Sequence, residues 1–338
     1  MRPEVSVIIP CRNEEKTIPL VLDALAKQTF SLERVEVVIA DGFSTDKTRQ
    51  AIQDFQNQHK ELSIQVVDNP EKAIPCGLNA AIRASQGKLI LRMDGHSIPR
   101  PDYIERCVAA LAAEKAENVG GVWDITPQND SWIAKSIALA ASNPLAVGDA
   151  LYRFSSTPAY VDTVPFGAFR RELFDRIGWF DETLLTNEDY ELNTRIRLSG
   201  GRVWLDPQIR CTYFARKNLA ELANQYWRYG FWKAQMIRRY PHTLRPRQAL
   251  PPLFVFGLAV LLLIGLFVPL FRWFFLAILG VYGLVLLGTG LSTAIKKHDF
   301  RLIAGIPLAI ATMHFSWGAG FIAGTASRQK TSAPVGEN

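Results

Sequence analysis

Asp94 and His96 stand two positions apart in LRMDGHSIP, residues 91–99, directly after the apolar run KLIL. A carboxylate and an imidazole at that spacing can face the same way from the end of a strand. Carboxylate oxygen suits Mg2+ or Mn2+, and imidazole tilts the choice toward Mn2+ or another transition metal. A cation there would neutralise a diphosphate, either held in place or departing as a leaving group. A capped polar turn is the plainer explanation of a lone D-x-H. The choice depends on what else shares the same edge.

Three other stretches compete for it. ADGFSTDKT ends an apolar run on Asp41, turns through Gly42 and begins a helix at Thr45. Asp41 there can accept hydrogen bonds from a nucleobase or ribose, while Asp46 answers the helix dipole. TNEDYELNTRIRLSGG places Glu188 and Asp189 at a helix start, where surface carboxylates are common, but the apolar IGWFDETLL before it implies packing against a core. Desolvation would raise a carboxyl pKa toward the range useful to a general base. NQYWRYGFWKAQMIRRY carries Gln225, Trp227, Arg228 and Trp232 on one amphipathic helix. Its plainer reading is a helix lying on a membrane with arginines snorkelling; the sharper one has Arg228 clamp a phosphate. The sequence has no G-x-x-x-x-G-K-[ST] and no G-x-G-x-x-G after the first strand, so neither a P-loop nor a nicotinamide site is indicated.

The elements that would position these residues alternate over the first 120 positions. Apolar, β-branched runs at 5–10, 35–41, 63–69, 88–94 and 119–123 read as strands, and helical patterns occupy 15–28, 45–59, 74–85 and 101–116. Near-continuous Val/Ile strands separated by amphipathic helices predict an α/β fold, a mainly parallel sheet covered on both faces. Ligands then bind beyond the carboxyl ends of the strands, where PCRNEE, ADGFSTD and MDGH all lie. Beyond residue 125 we expect helices at 131–142, 187–200 and 218–240, with short strands at 202–206 and 210–215.

Charge and hydropathy divide the rest. Formal net charge is +6, yet Arg216–Arg247 alone holds eight basic residues and one acidic, leaving the remainder near −1. Mean hydropathy is +0.04, and the intervals Arg247–Arg272, Arg272–Lys296 and Arg301–Arg328 contain no Asp, Glu, Lys or Arg between their ends. About 20 apolar residues cross a bilayer core as a helix, so transmembrane helices are expected near 250–270, 273–294 and 302–324. A basic segment beside a span attracts anionic lipid and places itself on the cytoplasmic side; lipid is favoured over nucleic acid as its partner. Arg328 and Lys330 would lie outside after a third crossing, which speaks mildly against it. His314 inside the third interval is a functional candidate by default, with a neutral histidine bonded between helices as the favoured alternative. Four scattered cysteines without a C-x-x-C pair indicate reduced thiols in a cytoplasmic compartment.

Taken together and in order, VSVIIPCRNEE, VIADGFSTDKT, GLNAAIRASQGKLILRMDGH, VGG, FRRELFDRIGWFDETLLTNEDYELNTRIRLSGGRVWLDP and QYWRYG resemble the family 2 glycosyltransferases of GT-A fold across roughly residues 4–230. The chain resembles in particular the membrane-anchored bacterial members of the succinoglycan-biosynthesis type. The resemblance implies an inverting transfer of one hexose from a nucleotide sugar, usually a UDP-sugar, to a lipid-linked, polyprenyl-diphosphate saccharide at the inner membrane. It implies Pro10, Arg12, Glu14, Asp41, Asn79, Asp94 and Arg228 as nucleotide-sugar residues. Asp94 and His96 become ligands of a divalent cation, Mn2+ or Mg2+, with His96 where a second Asp is usual. Asp189 becomes the catalytic base beside Glu188, and Gln225, Trp227 and Arg228 form a partial Q-x-x-R-W contact to acceptor or diphosphate, with Tyr229 in the Trp place. The expected organisation is a cytoplasmic GT-A domain over 1–245, ending in a basic interfacial helix at 218–245. Multi-pass helices over 248–325 and a disordered tail at 326–338 would follow. A processive polysaccharide synthase and a catalytically silent nucleotide-sugar scaffold are the alternatives.

Overall fold

A computed structural model describes residues 2–113 and 116–327; the tail expected to be disordered lies almost wholly outside the described residues. In chain order the elements are β1 (Val5–Cys11), α1 (Ile18–Ala26), β2 (Val35–Asp41), α2 (Thr48–Gln58), β3 (Ser63–Asp68), α3 (Ile74–Ala84), β4 (Leu89–Arg92), β5 (Ile98–Pro99), α4 (Tyr103–Ala113) and β6 (Asn118–Pro127). They continue as α5 (Trp132–Ala141), α6 (Pro144–Val147), β7 (Ala159–Tyr160), β8 (Ala168–Arg170), α7 (Glu172–Ile177), α8 (Glu188–Leu198), β9 (Val203–Ala215), α9 (Leu219–Arg239), α10 (Pro246–Gly265), α11 (Pro269–Lys297) and α12 (Leu302–Ala326). Two compact units result, one of residues up to Asp124 with Leu151–Tyr213, the other of Ile125–Ala150 with the described residues from Phe214 onward.

The first unit is built on a sheet of order β3-β2-β1-β4-β8-β6-β9-β5, with β7 pairing β9. β3, β2, β1 and β4 run parallel, whereas β8 and β6 join antiparallel, as do β5 and β7 on β9. The parallel half is thus the one legible from Val/Ile runs, and the antiparallel half makes the whole sheet mixed. The two short strands expected at 202–206 and 210–215 are one strand, β9, that carries Pro207 within it. Successive strand residues point to opposite faces. Val5, Val7 and Ile9 pack with Ile18, Leu22, Ile104 and Leu111 of α1 and α4. Ile8 and Val38 pack with Leu78, Ile82, Leu192 and Ile196 of α3 and α8. Both faces are therefore covered, which is why the strands read as continuous rather than alternating apolar runs. At Gly121 of β6 a Cβ would come within 1.7 Å of the Ile209 carbonyl oxygen, so this crossing with β9 admits only glycine. All four cysteines are free, and Cys11, Cys107 and Cys211 are buried.

In the second unit α5, α9, α11 and α12 share an apolar core that includes Ile137, Leu222, Tyr226, Leu286, Ile306, Ile310 and Met313. Three helices, Pro246–Gly265, Pro269–Lys297 and Leu302–Ala326, are long and apolar enough to cross a membrane. His314 lies between helices, its Nδ1 3.0 Å from the Tyr282 hydroxyl and its Nε2 3.1 Å from the Leu145 carbonyl. A carbonyl only accepts, so Nε2 carries the proton and Tyr282 donates to Nδ1.

Candidate functional site

The parallel register sets one edge. Pro10 pairs with Ala40, and Cys11 with Asp41, while Ile8 pairs with Arg92 on the other side. The chain therefore leaves β1, β2 and β4 at one carboxyl edge, and Arg12–Glu15, Asp41–Asp46 and Met93–His96 form three neighbouring loops there. Side chains stitch them together. Asn13 has φ 57, its backbone N–H donates to Ser44 Oγ at 2.9 Å and its Oδ1 accepts from Thr45 N at 2.8 Å. The backbone N–H of Glu14 donates to Thr48 Oγ1 at 2.7 Å. Arg12 lies against Gly42, where an added Cβ would be 3.2 Å from its Cδ.

Asp41 is fully buried. Its oxygens accept from Ser44 Oγ at 2.5 Å and from Arg49 Nε at 2.5 Å, and Arg49 also donates to Asp68 Oδ1 at 2.5 Å. Asp41 thereby fixes its own loop as well as standing at the strand end. Neither Ser44 nor Arg49 is among the residues singled out by the resemblance. Short polar groups within a few positions of a strand-terminal Asp are the signal that points to them.

Asp94 and His96 follow β4. His96 Nδ1 lies 2.9 Å from Glu14 Oε1, and Glu14 also accepts from the Thr17 hydroxyl. Burial alone would raise the Glu14 pKa, but the bonds from His96 and Thr17 outweigh it and hold the carboxyl below its ordinary value. A carboxylate on one ring nitrogen is the arrangement that fixes tautomer and orientation in metal-bound histidines, presenting the other nitrogen. Asp94 is only loosely engaged, with Arg92 Nη2 at 3.4 Å from its Oδ1. Among the described residues no three His, Cys, Asp or Glu side chains converge on a metal position. Two protein donors do suit a cation that takes its remaining ligands from substrate phosphates and water, so Asp94 and His96 fit such a half-site.

Glu188 and Asp189 open α8 after Asn187, whose φ is 70. Arg92 Nη2 donates to Glu188 Oε1 at 2.7 Å, and both side chains are buried. Because the same nitrogen contacts Asp94, the Asp94 and Glu188 oxygens are at most about 6 Å apart, the two legs taken end to end. Asp189 is half-buried and accepts from the Tyr190 backbone N–H at 2.7 Å. Burial raises the pKa of both carboxyls, with Arg92 pulling the other way. The resemblance assigned Arg92 no role. A charged residue inside the buried run KLILRMD is the sequence signal for it, since a fully buried cation requires a partner. Its Nε and Nη1 are also buried and have no hydrogen-bond partner among the described residues.

The rest of α8 is anchored. Arg195 pairs with Glu191 at 2.7 Å and donates to the carbonyls of Ile177, Gly178 and Trp179. Asn193 accepts from Asn118 at 2.6 Å and donates to Thr163 at 3.0 Å. Asn79 belongs to this scaffold. Its amide donates to Phe180 O at 2.9 Å and Glu182 Oε1 at 2.8 Å and accepts from Phe180 N at 3.0 Å, so it fastens the loop before α8. Gln225, Trp227 and Arg228 lie on α9 in the second unit, where Gln225 Nε2 donates to the Tyr229 hydroxyl at 3.0 Å and Trp227 is exposed.

Comparison with known proteins gives the family and the fold. The pattern of Glycosyl transferase family 2 matches residues 6–178, just over half of the chain. The succinoglycan biosynthesis protein ExoA of Rhizobium meliloti is 28% identical over 319 residues, 93% of this chain and 93% of its own. The dolichyl N-acetyl-alpha-D-glucosaminyl phosphate 3-beta-D-2,3-diacetamido-2,3-dideoxy-beta-D-glucuronosyltransferase of Methanococcus voltae is 27% identical over 70% of this chain and 74% of its own. Among solved structures, the mannosyltransferase PcManGT of Pyrobaculum calidifontis, in complex with GDP-Man and Mn2+, superposes with TM-score 0.59 at 22% identity, covering 93% of this chain and 87% of that one. Residues 1–349 of TarS from S. aureus, in complex with UDP, superpose with TM-score 0.50 at 19% identity, covering 70% of this chain and 65% of that one. At these identities the structures establish the GT-A-like fold alone. The loops at one strand edge, the buried Arg92 bridge and the matched pattern lead to one statement: the chain belongs to glycosyl transferase family 2.

Proposed function

We propose that the chain is an inverting hexosyltransferase that moves one sugar from a nucleotide sugar, a UDP-hexose, to a polyprenyl-diphosphate-linked saccharide in cell-surface polysaccharide synthesis. The observation that supports this reading is the Arg92 bridge, which holds Asp94 and Glu188 within about 6 Å of each other, next to Asp189. The relatives' names support the substrate classes: succinoglycan biosynthesis for one, a dolichyl-phosphate-linked sugar for another. UDP and GDP-Man stand in the titles of the structural neighbours.

Each residue has a task. Asp189, with a raised pKa and a partly open side chain, takes the proton from an acceptor hydroxyl as that oxygen attacks the anomeric carbon. Attack comes from the face opposite the diphosphate, the glycosidic C–O bond to phosphate breaks, and configuration inverts in one displacement. Glu188 accepts from Arg92 and holds the first turn of α8. Asp94 and His96 would hold a divalent cation, which when bound supplies positive charge to the leaving diphosphate. Glu14 keeps His96 in the tautomer that can coordinate. Asp41, locked by Ser44 and Arg49, shapes the nucleotide end of the edge.

The test is purified chain with UDP-, GDP- and dTDP-hexoses, Mn2+ and a lipid-linked acceptor. Release of nucleoside diphosphate coupled to glycosylated lipid is expected. Absence of both donor binding and turnover across that panel contradicts the reading, and long polymer from donor alone would favour a processive synthase.

A further inference from the structure

α12 has the length and apolarity of a membrane span, but two of its neighbours in the second unit, the charged α9 and the short α5, are unsuited to hydrocarbon. Its C-terminal half runs in the same direction as α9 with the backbones touching. A Cβ at Gly320 would lie 2.2 Å from the Trp227 carbonyl oxygen, one at Gly324 2.5 Å from that of Phe231, and one at Gly230 2.2 Å from that of Trp317. Helices in such contact occupy one layer. α9 carries Glu221, Arg228, Lys233, Arg238 and Arg239, and charges are costly in the bilayer centre. At the far end Arg238 donates to the carbonyls of Gly324 at 3.3 Å and Thr325 at 2.6 Å, and Gln235 donates to Gly324 at 2.8 Å. The last turn of α12 is thus capped by the most cationic turn of α9. Toward its start, Gly305 packs on Ser136 of α5, where a Cβ would meet Oγ at 2.0 Å. α5 has 10 residues, about 15 Å of helix, half of what a bilayer core needs.

α10 and α11 behave differently. They form a hairpin whose tip is strongly exposed and apolar: Leu263 at 61%, Phe267 at 85% and Trp273 at 70%. Arg272 closes that tip by donating to the carbonyls of Gly265 at 2.5 Å and Leu266 at 3.1 Å. α12 meets the hairpin on the half away from its tip, from the base up to about mid-length at Phe254 and Tyr282. Trp317 Nε1 donates to Gln248 O at 3.0 Å, a Cβ at Gly318 would lie 2.7 Å from Pro251 O, and one at Gly290 2.7 Å from Ile303 O. One position before Gln248, Arg247 pairs with the exposed Asp149, which marks the first turn of α10 as aqueous. Phe315 sits between Phe254 of α10 and Tyr282 of α11 and, with Leu308, keeps an exposed apolar edge on the hairpin side.

We propose that only α10 and α11 cross the bilayer, and that α5, α9 and α12 form a helical layer on the base side of the membrane, packed around the half of the hairpin away from its tip. Its partner is an anionic lipid headgroup plane, met by the cationic turns of α9 and by an apolar edge at Leu308 and Phe315. Thr325 then lies on the same side of the membrane as Arg238 and Arg245. This rests on the membrane reading of the apolar helices and not on the sugar-transfer reading, so its test uses no activity. In intact bacterial cells making the full chain, a membrane-impermeant maleimide should label Val268→Cys, while Thr325→Cys labels only after permeabilisation. A fluorescent protein fused after Asn338 should fluoresce in the cytoplasm, which decides the matter if the Thr325 variant fails to accumulate. Labelling of Thr325→Cys in intact cells, or alkaline phosphatase activity from the same fusion point, overturns the proposal.

Discussion

Arg92 and Glu188, 96 positions apart in sequence, form a buried ion pair at 2.7 Å, and the same guanidinium nitrogen touches Asp94 at 3.4 Å. The strand that leads into the Asp94–His96 loop and the helix that carries the proposed base, Asp189, are therefore joined through one side chain. Removing one partner of a buried pair leaves the other charged and unpaired, typically at a cost of about 3–5 kcal/mol. Arg92→Met should lower thermal stability by that order and abolish transfer. The double variant Arg92→Met/Glu188→Met should recover most of the stability while staying inactive. Thermal unfolding in detergent checks this, and a double variant no more stable than the single one would argue against the pair.

Burial raises Glu188 and Asp189 above the ordinary carboxylate value. Such groups bind protons more readily folded than unfolded, so their favourable contribution exists at low pH and is lost as pH rises through the folded value. Asp189→Asn should therefore melt higher than wild type at pH 7.5, by about 2–4 °C if the relief is near 1 kcal/mol. That advantage should shrink toward pH 4. The wild-type transfer rate should in turn fall on acidification at a pH above the ordinary Asp value, because the base takes up its proton. An Asn variant melting clearly below wild type at neutral pH would contradict the desolvated base.

Glu14 orients His96 through Nδ1. Loss of such a partner commonly weakens metal affinity about 10–100-fold. Glu14→Gln should weaken Mn2+ binding in the presence of UDP by that factor, and His96→Ala by more, both read by calorimetric titration. Unchanged Mn2+ affinity in His96→Ala would remove the imidazole from the cation site.

Asn79 has three hydrogen bonds to the loop at Phe180–Glu182, two of them, to the Phe180 backbone, buried. Asn79→Ala should cost about 1–3 kcal/mol by leaving that loop unsatisfied, with UDP affinity unaltered. A tenfold loss of UDP affinity without loss of stability would instead place Asn79 in the nucleotide pocket, as the resemblance implies.

These contrasts show what the sequence could and could not convey. The parallel strands were legible because burial on both faces writes continuous Val/Ile runs, and the long apolar helices because charge is absent for two dozen residues. β8 and the union of 202–206 with 210–215 were not, since short strands and a Pro207 inside β9 carry no periodic signal. Asp41, Asp94 and Asp189 stood out as carboxylates at element ends. Arg92 did not, although its position inside an apolar strand demanded a partner. Asn79 shows the opposite limit, because a polar residue on a helix gives no hint from sequence whether its amide faces a ligand or a loop. The fate of α12 rests on backbone contacts at Gly230, Gly320 and Gly324, which hydropathy does not see.

The central claim is that Asp189 deprotonates the acceptor in a single inverting displacement. The most direct measurement is transfer from a UDP-α-hexose by wild type and Asp189→Asn in parallel, with donor affinity measured on both and the product anomer assigned by NMR. The account predicts a β-linked product from wild type, a loss of at least about 10²–10⁴-fold in the variant, and unchanged donor affinity. An α-linked product, or variant turnover within a few-fold of wild type, would contradict it.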